Sequence, residues 1–319
     1  MNETHKEWLE ATLKRFGFQK TDAPEVFRER PWASVYRIPV EGEDLYFKVQ
    51  TSPIANESRL LPYFMREFPQ WLPELLATDG ENGFMLMRSA GVSLRSLFRE
   101  DRDLKHWEAL LPNYAAFQQR FQYQTAELRV LGAMDRRSHL LTERFAELLE
   151  DERAMFIGHP DGLTEEEYRR VQDLLPTLAN QCDELAGYGI PDTLNHDDFH
   201  DGNIFVQDGA YRFIDWGDCC VSHPFFTIDI TLRMIAHTLE REETAPEICA
   251  LRDLYLNQWT DYAPLETLQE TFALSQKVVG MNRALTWRLA VQGTDTPYET
   301  EEALAVPRCV KRVLLTAEG

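Results

Sequence analysis

Eight consecutive residues, His196-Asp197-Asp198-Phe199-His200-Asp201-Gly202-Asn203, gather histidines, aspartates and an asparagine in one loop. Asp215-Trp216-Gly217 follows twelve residues after Asn203. Phosphoryl transfer needs a carboxylate that takes the proton of an attacking hydroxyl, and oxygen donors that hold magnesium beside the phosphates. Asp198 offers the first, and Asn203 with Asp215 the second. The same stretch allows another chemistry. His196, Asp198 and His200 could ligate a different metal, and the His196-Asp197 pair suits a metal-dependent phosphohydrolase. That chemistry asks for further histidines upstream, where His5, His106, His139 and His159 form no metal-ligand cluster.

Placing these residues requires particular elements. Between Asn203 and Asp215, two apolar runs flank Asp208-Gly209, a pair suited to a type I′ turn, so the segment reads as a β-hairpin. That register opposes Gln207 to Ala210 and Asn203 to Ile214, which sets Asn203 beside Asp215. Directly opposed Cβ atoms lie about 5 Å apart, a spacing at which two oxygen ligands share one Mg²⁺.

A phosphate-gripping lysine on a strand, with a glutamate partner on the next helix, completes such a site. Trp32–Val40 and Asp44–Gln50 read as strands, and Lys48 stands in the second between Phe47 and Val49. Pro53 can begin a helix, which makes Glu57 the partner and Glu67 the fallback. No glycine occurs from 24 to 40, so Trp32-Ala33-Ser34 would meet the phosphates through backbone N–H groups and the Ser34 hydroxyl. Pro73–Thr78 and Phe84–Met87 read as another hairpin, completing a five-stranded sheet. Arg88-Ser89-Ala90-Gly91, ahead of a helix at Ser93–Phe98, reads either as an ordinary loop after an edge strand or as a hinge whose backbone, with Met87, could hold adenine.

The run H-x-D-x-x-x-x-N, a hairpin and Ile214-Asp215-Trp216 resembles the aminoglycoside phosphotransferase family, with supporting matches at Gly189–Leu194, His223-Pro224 and Asp229. The likeness covers roughly residues 30 to 235 in motif order. It implies a protein-kinase-like α+β fold: a small N-terminal lobe with an antiparallel five-stranded sheet, residues 1–88, and a larger helical lobe, 89–319, with the catalytic loop and acceptor site. It implies an ATP-dependent small-molecule kinase. Asp198 would be the base and Asn203 and Asp215 the magnesium ligands. His196 would be a structural histidine, and Asp229 the carboxylate that steadies the loop backbone. GTP remains open beside ATP, since nothing in 84–91 separates them. A nucleotide-binding pseudokinase is the non-enzymatic alternative.

Composition narrows the partners. The formal charge is −20, from 33 basic and 53 acidic residues, which argues against nucleic acid as a partner, whose backbone needs a basic face. It suits a cationic substrate and equally a solvated acidic surface. No apolar run reaches the ~18 residues of a membrane span. Five cysteines without metal-type spacing suggest reduced thiols in the cytoplasm. The N-terminus lacks the regions of a signal peptide and reads as a helix, capped by Thr4 with Glu7 and apolar at Leu9, Leu13 and Phe16. Leu110, Tyr114, Phe117 and Phe121 form one helical stripe, and Thr164 with Glu167 another capping box. Further helices are expected near 136–152, 164–187, 225–240, 246–261, 266–290 and 299–316. The acceptor would meet some of Asp218, Trp259, Asp261, Tyr262, Asn282, Trp287 and Arg288, with the acids Glu266, Glu270, Asp295 and Glu299 near by.

Overall fold

The computed structural model describes residues 1–50, 56–292 and 300–317. Pro53, Asp295 and Glu299, invoked above, lie outside the described residues. In chain order come helix α1 (Glu3–Phe16), strands β1 (Glu25–Arg30), β2 (Ala33–Val40) and β3 (Glu43–Gln50), α2 (Glu57–Glu67), β4 (Leu75–Asp79), β5 (Phe84–Arg88) and β6 (Val92–Ser93). Helices α3 (Leu94–Asp101), α4 (Lys105–Phe121) and α5 (Thr125–Leu131) precede β7 (Met134–Asp135). Then follow α6 (Ser138–Leu149), α7 (Glu152–Met155), α8 (Glu165–Gly187), β8 (Thr193–Asn195), β9 (Ile204–Gln207), β10 (Ala210–Phe213) and β11 (Cys220–Ser222). Helices α9 (Phe226–Leu239), α10 (Pro246–Leu256), α11 (Leu265–Val291) and α12 (Ala305–Ala317) close the order. The chain divides into two compact units: Met1–Leu94 with Gly202–Gly217, and Arg95–Asp201 with Asp218–Gln292 and the tail from residue 300.

The first unit holds the expected five-stranded antiparallel sheet, in the order β1-β2-β3-β5-β4. Alternation gives the sheet two faces. Tyr36, Ile38, Val40, Leu45, Phe47, Val49, Phe84 and Leu86 pack with Leu9 and Leu13 of α1. The helix begins two residues earlier than expected: Asn2 accepts from the His5 N–H at 3.0 Å while the His5 ring accepts from the Asn2 N–H, so this pair, and not Thr4 with Glu7, is the capping box. A second sheet, β10-β9-β6, carries the predicted hairpin. Gln207 opposes Ala210, and the Ile214 N–H donates to the Asn203 carbonyl at 3.0 Å. Asp208 and Gly209 both take left-handed φ, 52° and 74°, as a type I′ turn demands. Pairing of β9 with β6 groups this hairpin with the first unit.

The second unit is mostly helical, around a short sheet β7-β11-β8. The stripe Leu110, Tyr114, Phe117 and Phe121 is fully buried. Thr164 and Glu167 form their capping box. The helix expected over 136–152 breaks after Leu149, because Asp151 accepts from the Ala154 N–H and starts a new turn. In the described residues the last helix begins at Ala305, with Pro307 in its first turn, where no intrahelical N–H bond is lost.

Candidate active site

Within the first unit, alternation puts Lys48 on the sheet face opposite α1. Its ammonium lies 2.5 Å from Glu57 Oε2 and 2.6 Å from Asp215 Oδ1. Glu57 is the first residue of α2, where the positive end of the helix welcomes an anion. Its second oxygen accepts from the Trp216 N–H at 3.1 Å. Burial alone would lower the Lys48 pKa, but the charges of Asp215 and then Glu57 outweigh it and raise it well above the ordinary lysine range. Glu57, not Glu67, is therefore the partner. Asp215 itself holds φ of 66°, uncommon for a residue with a side chain and a form of strain that clusters at functional sites.

The donor set fits a hard cation. One ammonium faces two carboxylates, leaving a net charge of −1 on the trio, and the Asn203 backbone, paired with Ile214, is one ladder step from Asp215. Carboxylate and amide oxygens, completed by water and phosphate, suit Mg²⁺. Among the described residues no group of three or more His, Cys, Asp and Glu side chains is disposed to hold a metal. His196 is fully buried, so His196, Asp198 and His200 do not form the cluster that a phosphohydrolase would need.

The register also sorts the expected nucleotide contacts. Met87 opposes Tyr46 and so shares the face of Lys48. Ser34 does not: Val35 is the residue opposed to Lys48, and Ser34 pairs with Val49 on the α1 face. Its hydroxyl is turned away from the lysine, against the phosphate contact expected of it. Arg88 pairs with Leu45, again on the α1 face, where it bonds Glu43 and lies 3.0 Å from Glu74 Oε2. Its N–H is taken by the Glu74 carbonyl.

In the second unit, the loop containing Asp198 is clamped from several helices. Asp197, at φ 63°, points inward and accepts from Asn282 Nδ2 at 2.5 Å, Thr286 Oγ1 at 2.7 Å and Arg283 Nη1 at 3.2 Å, all on α11. Arg283 also bonds the Asp197 carbonyl, and Thr231 Oγ1 donates to the Phe199 carbonyl at 2.6 Å. The Tyr114 hydroxyl accepts from the His196 N–H at 3.0 Å, and its ring stacks on Phe199. Asp229, expected to steady this backbone, is instead gripped by Arg233 and Arg312; Thr231 and Arg283 hold the loop carbonyls.

Both oxygens of Asp198 face cations: Arg283 Nη2 is 3.2 Å from Oδ1, and His200 Nε2 is 3.2 Å from Oδ2. Burial would raise the carboxyl, but the hydrogen bond to His200 and the charge of Arg283 hold it well below the usual range. His200 is thus a partner of Asp198. Its Nδ1 lies 3.0 Å from Arg95 Nη2 and 3.6 Å from Asp201 Oδ1. Burial works against a charged ring, as does Arg95, yet Asp198 and Asp201 outweigh them and push its pKa up to about 9. Arg95 and Arg283 were not foreseen. They stand 106 and 85 residues from Asp201 and Asp198 in the chain, with no local signal to mark them.

The acceptor candidates part company. Trp259 is fully buried among Phe225, Tyr255 and Tyr262, and Asn282 is fully buried on Asp197, so both belong to the core. Arg288 pairs with Asp151 and the Tyr262 hydroxyl with Gln122. Trp287 packs on the helical core beneath the Arg283 guanidinium. Asp218 lies within electrostatic reach of Arg283, while Asp261, Glu266 and Glu270 are solvent-exposed.

This is the arrangement of a kinase-like phosphotransferase, and the chain belongs to the phosphotransferase enzyme family, whose sequence profile matches residues 71–268. It is an enzyme, a small-molecule kinase with an alcohol group as acceptor, in a family that uses ATP and a divalent metal. Three solved structures share the fold. A macrolide 2′-phosphotransferase type I is 14% identical, with 98% of each chain covered and a TM-score of 0.60. The choline kinase LicA from Streptococcus pneumoniae is 15% identical, with 98% of this chain and 100% of that one covered and a TM-score of 0.61. The amicoumacin kinase hAmiN, in complex with AMP-PNP, Ca²⁺ and Ami, is 12% identical, with 96% and 95% covered and a TM-score of 0.56. No curated protein sequence matches the chain. Among the described residues no helix is long and apolar enough to cross a membrane.

Proposed function

We propose that the chain moves the γ-phosphate of ATP to a hydroxyl of a small molecule, an antibiotic of aminoglycoside type or a small metabolite, in the cytoplasm. The observation that carries this reading is the Lys48 ammonium held between Glu57 and Asp215, with Asn203 alongside. Lys48 grips the nucleotide phosphates, and Glu57 keeps it in place. Asn203 and Asp215 would hold Mg²⁺, which when bound offsets the charge on the transferring group. Asp198 accepts a hydrogen bond from the acceptor hydroxyl and fixes its direction of attack. With both carboxylate oxygens tied to cations it is a weak base at rest. It therefore takes the proton late, as the hydroxyl oxygen bonds to phosphorus and the bond to the β-phosphate oxygen breaks. ADP leaves with that electron pair.

The relatives named above act on macrolides, choline and amicoumacin, so the family resemblance leaves the acceptor class wide. The deciding experiment is a Mg-ATP turnover screen over aminoglycosides, choline, homoserine and sugars, with GTP run in parallel and Asp198→Asn as the blank. The expected result is turnover with one acceptor class, and its loss in Asp198→Asn with Mg-ATP still bound. Turnover retained by that variant would sink the assignment of Asp198. The second reading, a nucleotide-binding pseudokinase, draws on the missing glycine loop; thermal stabilisation by Mg-ATP without phosphotransfer to any acceptor would favour it.

A further inference from the structure

The phosphate loop poses a chemical problem. Where kinases cover the phosphates with the main-chain amides of a glycine-rich loop, this chain closes β1 onto β2 with two residues, Pro31 and Trp32, and the pair Arg30–Ala33 flanks the turn. Pro31 has no N–H to donate, which leaves Trp32 to supply the turn's amide, and Arg30 and Ala33 on either side of the turn are paired in the β-ladder. The side chain with the right chemistry at β2, Ser34, is on the wrong face.

The register supplies a replacement. Arg28 opposes Val35, and Val35 opposes Lys48, so Arg28, Val35 and Lys48 stand in one row across three strands on one face. Arg30 opposes Ala33, which opposes Gln50, in the next row on that same face. Glu29 falls between them on the other face, beside Ser34. Two strand spacings put the Arg28 backbone about 10 Å from that of Lys48, a gap that an extended guanidinium, a phosphate chain and a lysine together span. Arg37 shares this face and pairs with Asp44 at 3.2 Å and Glu25 at 3.7 Å. Arg28 and Arg30 are exposed on the edge strand. A planar guanidinium binds phosphate oxygens two at a time, as the lost amides would.

We propose that Arg28 and Arg30 bind the terminal phosphates of the nucleotide, facing Lys48 across the sheet, in place of a glycine-rich loop. This rests on the phosphotransferase reading above. The test compares calorimetric binding of a non-hydrolysable ATP analogue, with Mg²⁺, and of adenosine, in the wild type, in Arg28→Ala/Arg30→Ala and in Ser34→Ala. In the double variant, ATP-analogue affinity should fall by about tenfold or more, the scale of charge-assisted hydrogen bonds. Adenosine affinity should hold within about twofold, and Ser34→Ala should match the wild type. An unchanged ATP-analogue affinity in the double variant overturns the inference alone. So does an equal loss for adenosine, since the arginines would then act on the sheet and not on phosphate. A wild-type chain that binds neither compound would overturn the nucleotide reading itself, and this inference with it.

Discussion

The Asp198 side chain owes its position to charge balance. Arg95, Arg283 and protonated His200 face Asp197, Asp198 and Asp201, three cations against three anions, so the loop is neutral although densely ionised. His200 is the member that titrates in an accessible range. Its proton is held more tightly in the folded state, so the pair contributes its full stability below the ordinary histidine value of 6.5. That contribution is lost as pH rises through about 9. If His200 fixes the carboxylate, kcat falls over the same alkaline window. His200→Gln should remove that limb and lower kcat by about ten- to hundredfold, the worth of a charged hydrogen bond. A pH–rate profile decides it: an alkaline limb near 9 that survives in the variant assigns the titration elsewhere.

At the scale of elements, the hairpin that carries Asn203 and Asp215 depends on a close approach by Gly91. Its φ is +100°, and a Cβ there would sit 2.2 Å from the Val206 carbonyl oxygen. Gly91→Ala should therefore break the pairing of β6 with β9. The backbone strain alone costs about 1–3 kcal/mol, with the clash added. Thermal melts should show the loss, and hydrogen exchange should place it in β9 and β10. A variant as stable as wild type, with both strands still protected, would show that the pairing does not hold the hairpin. The β-hairpin itself was legible from Asp208-Gly209 because a type I′ turn is a local demand on two residues. The pairing with β6 was not, since Val92 and Ser93 carry no mark of their distant partner.

For the whole molecule, buried groups shape the response to acid. His223 is almost fully buried, its Nδ1 accepts from the Phe225 N–H at 3.3 Å, and burial lowers its pKa to about 3. The unfolded chain binds this proton near 6.5 and the folded chain does not, so stability falls as pH drops from 6.5 towards 3. The slope is about 1.4 kcal/mol per pH unit. Asp192 acts in the opposite direction. Burial pushes it up to about 6, so its protonation favours the folded chain as pH falls from 6 towards its ordinary 3.8. In the wild-type curve these two contributions oppose one another. His223→Asn, which keeps an acceptor for Phe225, should lose less stability than wild type between pH 6.5 and 5. Parallel denaturation curves at the two pH values for both proteins would contradict the assignment.

The one-dimensional chain determined the hairpin register, the strand of Lys48 and its partner Glu57, because each follows from contacts a few residues apart: turn chemistry, strand alternation and a helix start. The tertiary structure alone decided that His200 pairs with Asp198, that Arg95 and Arg283 neutralise the loop, that Asn282 and Trp259 are core, and that Ser34 and Arg88 face α1. These depend on which face a strand presents and which helix lies over a loop. Charge complementarity between groups 85 or 106 residues apart leaves no periodic trace in the chain; it exists only once folding has brought α3 and α11 to the loop. The stretch from His196 to Asn203 supplied the polar groups, and the packing around it set their charge and direction.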